Sequence, residues 1–234
     1  MFNKIFAVAV ALSFTAHADM YTDFKGDESA GSFYGVTNKL IHMRLSQIDD
    51  EEASKTIIMF GDSITQGLNP NGLHFSHVNA GIGGDTVHGI KARVKSEDLG
   101  RFRAVFIEAG TNNLLMGEIG SQVGDEIVEM IEYAAPKSKK LYVSQVFVPN
   151  RDKITHIAKD APLADYKIKL TCAKFKNCVV VPLPSGVIGE NGIKPEFSLP
   201  DSTHLNGKAY SLWKNELNRA MASFPYYLYY KYFK

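Results

Sequence analysis

The chain has 234 residues, 45% of them apolar, with 26 basic and 25 acidic side chains and a formal net charge of +1. That is enough apolar material for one large α/β domain with a sizeable core, which excludes global disorder. No basic block of useful length breaks the charge balance, so electrostatics give no basis for nucleic-acid binding.

The first residues read as a targeting segment. Lys4 supplies a positive start, Ile5 to Ala16 is a short apolar stretch, and Ala16-His17-Ala18 has the small-x-small form of a signal-peptidase site, placing cleavage before Asp19. The stretch is shorter than the roughly 20 residues needed to span about 30 Å of hydrocarbon, so a membrane anchor is the poorer reading. Removing residues 1–18 takes away one lysine and no acid and leaves a net charge of zero. No later segment is long and apolar enough to cross a bilayer. The mature protein is therefore expected to be exported, periplasmic or secreted.

Residues 19–54 form a lead-in, polar and Gly-rich to residue 39, with Leu40, Ile41, Leu45 and Ile48 at the spacing of a first helix. Thr56 to Phe60 is an unbroken β-branched and apolar run, the pattern of a parallel strand buried on both faces. Gly61 permits a sharp exit that a Cβ would resist. Ser63 then falls at the carboxyl end of a central strand, where open α/β sheets place their ligand sites. Turn chemistry at Asn69-Pro70-Asn71-Gly72 leads to a second strand over Phe75–Ala80 and a glycine-rich loop, Gly81 to Thr86. A helix marked by Val87, Ile90, Val94 and Leu99 comes next. The third strand lies within Arg103–Ala109 and ends in Gly110-Thr111-Asn112-Asn113. Val123, Ile127, Val128, Met130 and Ile131 mark an amphipathic helix. A fourth strand over Leu141–Val148, a helix over 160–175, a fifth strand over Val179–Val181 and a last helix over Gly207–Phe224 complete the order. Strands alternating with helices predict βαβ units in a three-layer α/β/α sandwich with a five-stranded parallel sheet, in one domain over 55–224.

Two features stand apart. Cys172 and Cys178 form a disulfide in an oxidising compartment or remain two buried thiols, and two cysteines make a poor zinc site. The tail over 225–234, with Tyr226, Tyr227, Tyr229, Tyr230, Tyr232 and Phe233, reads as a terminal segment packed on the body. Weak contact with a membrane surface or a partner protein is the alternative, because such rings favour interfaces.

A serine hydroxyl needs an adjacent base to attack at neutral pH, and histidine suits that role. Asp201-x-x-His204, after Pro200 and before a helix, offers an acid to orient the imidazole. Gly81 and Gly83 fit the start of a dinucleotide fingerprint, but Thr86 stands at its third glycine, so backbone donors for an anion are the better use of that loop. Asn112 offers a side-chain amide for the same purpose, or caps a turn. His74, His77, His88 and His156 read as surface or loop residues, with His74 and His77 the nearest candidates to line a pocket. They do not make the H-E-x-x-H metal pattern, and the proposed chemistry calls for no metal and no cofactor.

Gly61-Asp62-Ser63-Ile64-Thr65, Gly84 within Gly83-Gly84-Asp85-Thr86, Asn112 within Gly110-Thr111-Asn112-Asn113, and Asp201-Ser202-Thr203-His204 together resemble the four blocks of the SGNH (GDSL-type) hydrolases, in type, order and spacing. The run Asn79 to Thr86 is most similar to the branch with the platelet-activating-factor acetylhydrolase subunits and many bacterial sugar-ester esterases. The resemblance implies a flavodoxin-like fold. It implies Ser63 as nucleophile, His204 as base and Asp201 as its orienting acid. The oxyanion hole it implies consists of the N–H groups of Ser63 and Gly84 and the Asn112 amide. Asp62 is expected to hydrogen-bond around the turn. The expected reaction is hydrolysis of a carboxylic ester, with a short acyl group, such as acetyl on a carbohydrate, as the favoured substrate. A lysophospholipase or thioesterase of broad acyl range, acyl transfer to a sugar hydroxyl, and a non-catalytic carbohydrate-binding module on the same fold are the rivals.

Overall fold

Strand β1 (Ile57–Gly61) is buried along its whole length and lies inside the sheet. In this computed structural model residues 32–151 and 159–222 are described. The signal segment, residues 19–31 of the lead-in, His156 and the aromatic tail lie outside them. β1 pairs in parallel with β2 (His77–Gly81) on one side and β3 (Ala104–Ile107) on the other. β4 (Leu141–Ser144) and β5 (Cys178–Val181) continue the sheet in parallel, giving the order β2-β1-β3-β4-β5. This is the flavodoxin order, and its direction reverses between β1 and β3, so the loops leaving those two strands diverge and leave a crevice at the carboxyl edge.

The period-two side-chain pattern builds two cores. Ile58, Phe60, Val105, Ile107, Leu141 and Val143 face one layer, formed by α1 (Phe33–Leu45), α4 (Val87–Ser96), α6 (Gly120–Ala134) and α7 (Ala161–Cys172). Ile57, Met59, Ala104, Phe106 and Tyr142 face the other, where α8 (Gly207–Met221) presents Ala209, Trp213 and Leu217 at a spacing of four. Trp213 is fully buried, with the Phe147 ring edge-on at 5.2 Å and the Phe106 ring at 6.1 Å.

The three-layer parallel sandwich is as expected, and the differences lie at element ends. The first helix starts at Phe33, not Leu40, because the Ser32 hydroxyl accepts from Gly35 N–H and caps it. It stops at Leu45. Asp49 then caps a separate turn, α2 (Asp50–Ala53), by accepting from Glu52 N–H. Leu40, read as a core position, is exposed, and Tyr34, Ile41 and Leu45 carry the packing. The fourth strand ends at Ser144. Beyond it the chain runs irregularly, with Val146, Phe147 and Val148 buried, held in part by the Asp165 carboxylate, which accepts from Val146 N–H and Gln145 Nε2. Two short helices, α3 (Ser63–Gln66) and α5 (Thr111–Leu115), and a two-strand ribbon, β6 (Ile188–Gly189) with β7 (Gly192–Ile193), carry too few residues to show a period.

Cys172 and Cys178 are bonded, Sγ to Sγ 2.01 Å, joining the end of α7 to the start of β5. Closing so short a loop in the unfolded chain gives a cross-link worth about 2 kcal/mol. Replacing both by alanine should lower the urea unfolding free energy by about that amount and leave turnover per folded molecule unchanged.

Candidate active site

The side chains singled out in the sequence meet at the carboxyl edge of the sheet. Ser63 is the first residue of α3, directly after the turn that ends β1. Asp62 caps that helix, its Oδ1 accepting from Ile64 N–H at 2.8 Å, so it does hydrogen-bond around the turn. His204 comes from the loop before α8, and its Nε2 is 2.9 Å from Ser63 Oγ across 141 residues of sequence. Its Nδ1 is 2.5 Å from Asp201 Oδ2.

The Asp201–His204 loop is fixed from inside. Asp201 Oδ1 accepts from Thr203 N–H at 2.9 Å and His204 N–H at 3.0 Å, and Ser202 takes a left-handed conformation, φ 57°, to close that turn. Thr203 and Leu205 are buried on either side, which leaves Asp201 and His204 facing out. Partial burial pushes the Asp201 carboxyl up, but the two N–H groups and the imidazole outweigh this and hold it at about 2. Asp201 is thus a carboxylate over the whole neutral range, as an orienting acid must be.

On the other side of Ser63, Gly84 has φ 79°, a left-handed conformation that strains any side chain. Asn112 lies in α5, and its Nδ2 donates to the Asp85 carbonyl at 2.9 Å. An amide nitrogen carries two hydrogens, so one remains for a ligand. The N–H groups of Ser63 and Gly84 have no acceptor among the described residues. A serine hydroxyl held by an imidazole, with three donors from three different strand ends nearby, can form and hold a tetrahedral oxyanion.

Several residues of the site escaped the sequence reading. Glu108 follows β3 and is fully buried beneath the Ser63 turn. Its Oε2 accepts from Thr65 Oγ1 at 3.0 Å and from Asp62 N–H at 3.4 Å. Tyr210 Oη donates to the Ile64 carbonyl, Asn79 Nδ2 to the Thr65 carbonyl, and Gln66 Oε1 accepts from Gly83 N–H. The short helix bearing Ser63 is therefore pinned from every side. Glu108 had a visible signal, an acid inside an otherwise apolar strand run. Tyr210 had none, since a tyrosine on a helix reads as packing. His77 is half-buried against Phe75, and the backbone N–H of His74 donates to Asn218, so neither histidine joins the triad.

Asp62 and Glu108 are two buried carboxyls side by side. Asp62 Oδ2 and Glu108 Oε1 have no other partner among the described residues. Burial first, and the Glu108 charge second, push Asp62 well above the usual carboxylate range, and burial also raises Glu108. Two carboxyls buried this close therefore both hold their protons more tightly than free carboxyls do.

Because both folded-state pKa values are raised, the folded protein binds protons at these two carboxyls more tightly than the unfolded chain does. The resulting stabilisation is complete below the ordinary carboxylate pKa of about 4 and is lost as pH rises. Glu108→Gln removes the second charge and should gain on the wild type as pH increases. Urea midpoints at about pH 4.5 and about pH 8 measure this, and a variant-to-wild-type difference that does not change with pH contradicts the upward shift of the pair.

Comparison with known proteins agrees with this geometry. The sequence model of the GDSL-like Lipase/Acylhydrolase family matches residues 59–212. The fold is similar to a GDSL-like lipase from Bacteroides thetaiotaomicron VPI-5482, with a TM-score of 0.63 and 19% identity over 78% of this chain and 96% of that one. It is similar to a protein from Streptococcus pneumonia whose description names platelet activating factor, with a TM-score of 0.61 and 14% identity over 93% of this chain and 99% of that one. It is also similar to the psychrotrophic esterase EstA from Pseudoalteromonas sp., with a TM-score of 0.55 and 17% identity over 70% and 95%. A search of curated proteins finds no match. The family match runs from β1 into α8 and takes in all four loops that carry the site residues, and the chain belongs to the GDSL-like lipase/acylhydrolase family of carboxylic ester hydrolases.

Proposed function

We propose that this protein is a metal-independent serine esterase working through an acyl-enzyme. The observation that carries the reading is the relay from Ser63 Oγ to His204 Nε2, 2.9 Å, and from His204 Nδ1 to Asp201, 2.5 Å. Ser63 Oγ bonds to the ester carbonyl carbon while His204 Nε2 takes its proton, and Asp201 holds the imidazolium that forms. The oxyanion is received by the N–H groups of Ser63 and Gly84 and by the free hydrogen of Asn112 Nδ2. The C–O bond to the alcohol breaks, and the alcohol leaves with the proton from His204. Water, giving a proton to His204, then attacks the acyl carbon; the bond from that carbon to Ser63 Oγ breaks, His204 returns the proton to Oγ, and the acid is released.

The substrate we propose is a short acyl ester, acetyl above all, on a carbohydrate. Its support is the balanced charge; a groove of about 660 Å³ beside β4 and β5, lined in part by Lys159, Glu190 and the Leu183-Pro184 turn, includes none of Ser63, Gly84, Asn112, Asp201 and His204. The groove includes Val146, which packs where a Cβ on Gly110 would stand, two residues before Asn112. A longer acyl chain is the second reading. It is favoured by Phe33, Val36, Leu40 and Met43, an exposed apolar stripe on α1 whose first ring lies beside Gly83. No helix among the described residues is long and apolar enough to cross a membrane. We place the protein outside the cytoplasm, with residues 1–18 as a cleaved signal and 55–224 as the catalytic domain. The Cys172–Cys178 bond supports this, since disulfides persist in oxidising compartments.

Ser63→Ala should leave the fold intact and lower p-nitrophenyl acetate hydrolysis by several orders of magnitude, and activity surviving that change would refute the nucleophile. Asn112→Ala should cost roughly 10²–10³-fold in kcat. Across p-nitrophenyl esters from acetyl to palmitoyl the maximum should fall at acetyl. A maximum at long chains would replace the carbohydrate reading with the lipid one.

A further inference from the structure

Helix α4 turns Val87, Ile90 and Val94 into the core, and Arg93 lies on the same face, 5% exposed. An arginine buried among apolar side chains costs several kcal/mol unless every direction it points in is answered. Here four contacts answer it. Nε and Nη2 donate to Asp85 Oδ2 at 3.0 and 2.7 Å, Nη2 also donates to the Gly61 carbonyl at 3.0 Å, and Nη1 donates to the Ala80 carbonyl.

Those acceptors belong to three pieces of chain. Gly61 ends β1 and stands two residues before Ser63. Ala80 lies near the end of β2. Asp85 follows Gly84, and its own carbonyl receives the Asn112 amide. One planar cation therefore ties the backbone that carries the Ser63 N–H to the backbone that carries the Gly84 N–H, and the Asn112 side chain joins them through its bond to the Asp85 carbonyl. We infer that Arg93 is a positioning residue of the oxyanion hole, holding the Ser63 N–H at the end of β1 at a fixed distance from the Gly84 N–H in the loop after β2.

The inference rests on the serine-esterase reading above. Its physical basis is that donors must stand within about 0.5 Å of the productive geometry to act on a developing charge. A guanidinium suits this task because its donors form a rigid fork, whereas an ammonium is a point charge that cannot span the same acceptors. Arg93 touches no reacting atom, so its loss should appear in the chemical step and not in ground-state binding.

The experiment compares wild type, Arg93→Lys and Asp85→Asn on p-nitrophenyl acetate. Active sites are counted by titration with a phosphonate that labels Ser63, so misfolded molecules drop out. For both variants kcat per titrated site should fall about 100-fold, the cost expected of a misplacement near 1 Å, with KM moved little. If Arg93 only holds the fold, the melting temperature and the number of titratable sites fall while kcat per site stays within about twofold of wild type, which overturns the inference. Should Arg93→Lys fail to fold, Asp85→Asn, which keeps the side chain's size, decides alone by the same criterion. A wild type inert on every ester would instead remove the serine-esterase reading and this inference with it.

Discussion

Between the last residue of β1 and the first of α3 stands one residue, Asp62. The chain must pass from a fully buried strand into a helix within that single step, and the rest of the site depends on its doing so. The step leaves no spare room. A Cβ on Gly61 would stand 2.1 Å from Thr65 Oγ1, and one on Gly81, its partner across the sheet, 2.3 Å from Gln66 N. Two glycines facing each other let helix α3 lie against the sheet edge, and Asp62 replaces the missing helix partner at Ile64 N–H. Ser63 is thereby presented at the topological switch point.

Once that turn is made, buried polar groups hold it. Glu108, Thr65, Asp62, Tyr210 and Asn79 lock α3 from below, and Arg93 with Asp85 locks the facing loop. Each group is costly to bury. Burial pushes the Asp85 carboxyl up to about 7 even though Arg93 pulls against it, and it drives Asp62 and Glu108 upward together. An apolar core would be the cheaper solution for stability alone. Retaining two charged clusters under one serine is what a site needs when its donors come from separate strands and must not drift.

Much of this was legible from residue order. The β-branched runs at 56–60 and 104–107 announced a parallel sheet because strands covered on both faces have no polar side to show. The four short motifs singled out Ser63, Gly84 and Asn112 beyond the ends of β1, β2 and β3, and Asp201 with His204 in the loop before α8. What escaped was set by tertiary contact. Arg93 sits one residue from Val94 in a stripe that reads as an amphipathic helix, and only the fold shows that a charge on the buried side meets Gly61, Ala80 and Asp85. Leu40 looked like core because its spacing from Ile41 and Leu45 fits a helix, yet the helix starts seven residues earlier at the Ser32 cap and turns Leu40 outward.

The central claim is that Ser63 forms a covalent acyl intermediate, and labelling tests it most directly. The protein is treated with an alkyl phosphonate ester, digested and mapped by mass spectrometry, in parallel with loss of ester hydrolysis. The account predicts a single adduct on the peptide containing Ser63, with activity lost in proportion to labelling. Hydrolysis that persists in fully labelled protein, or an adduct on another residue that accounts for the lost activity, would contradict it.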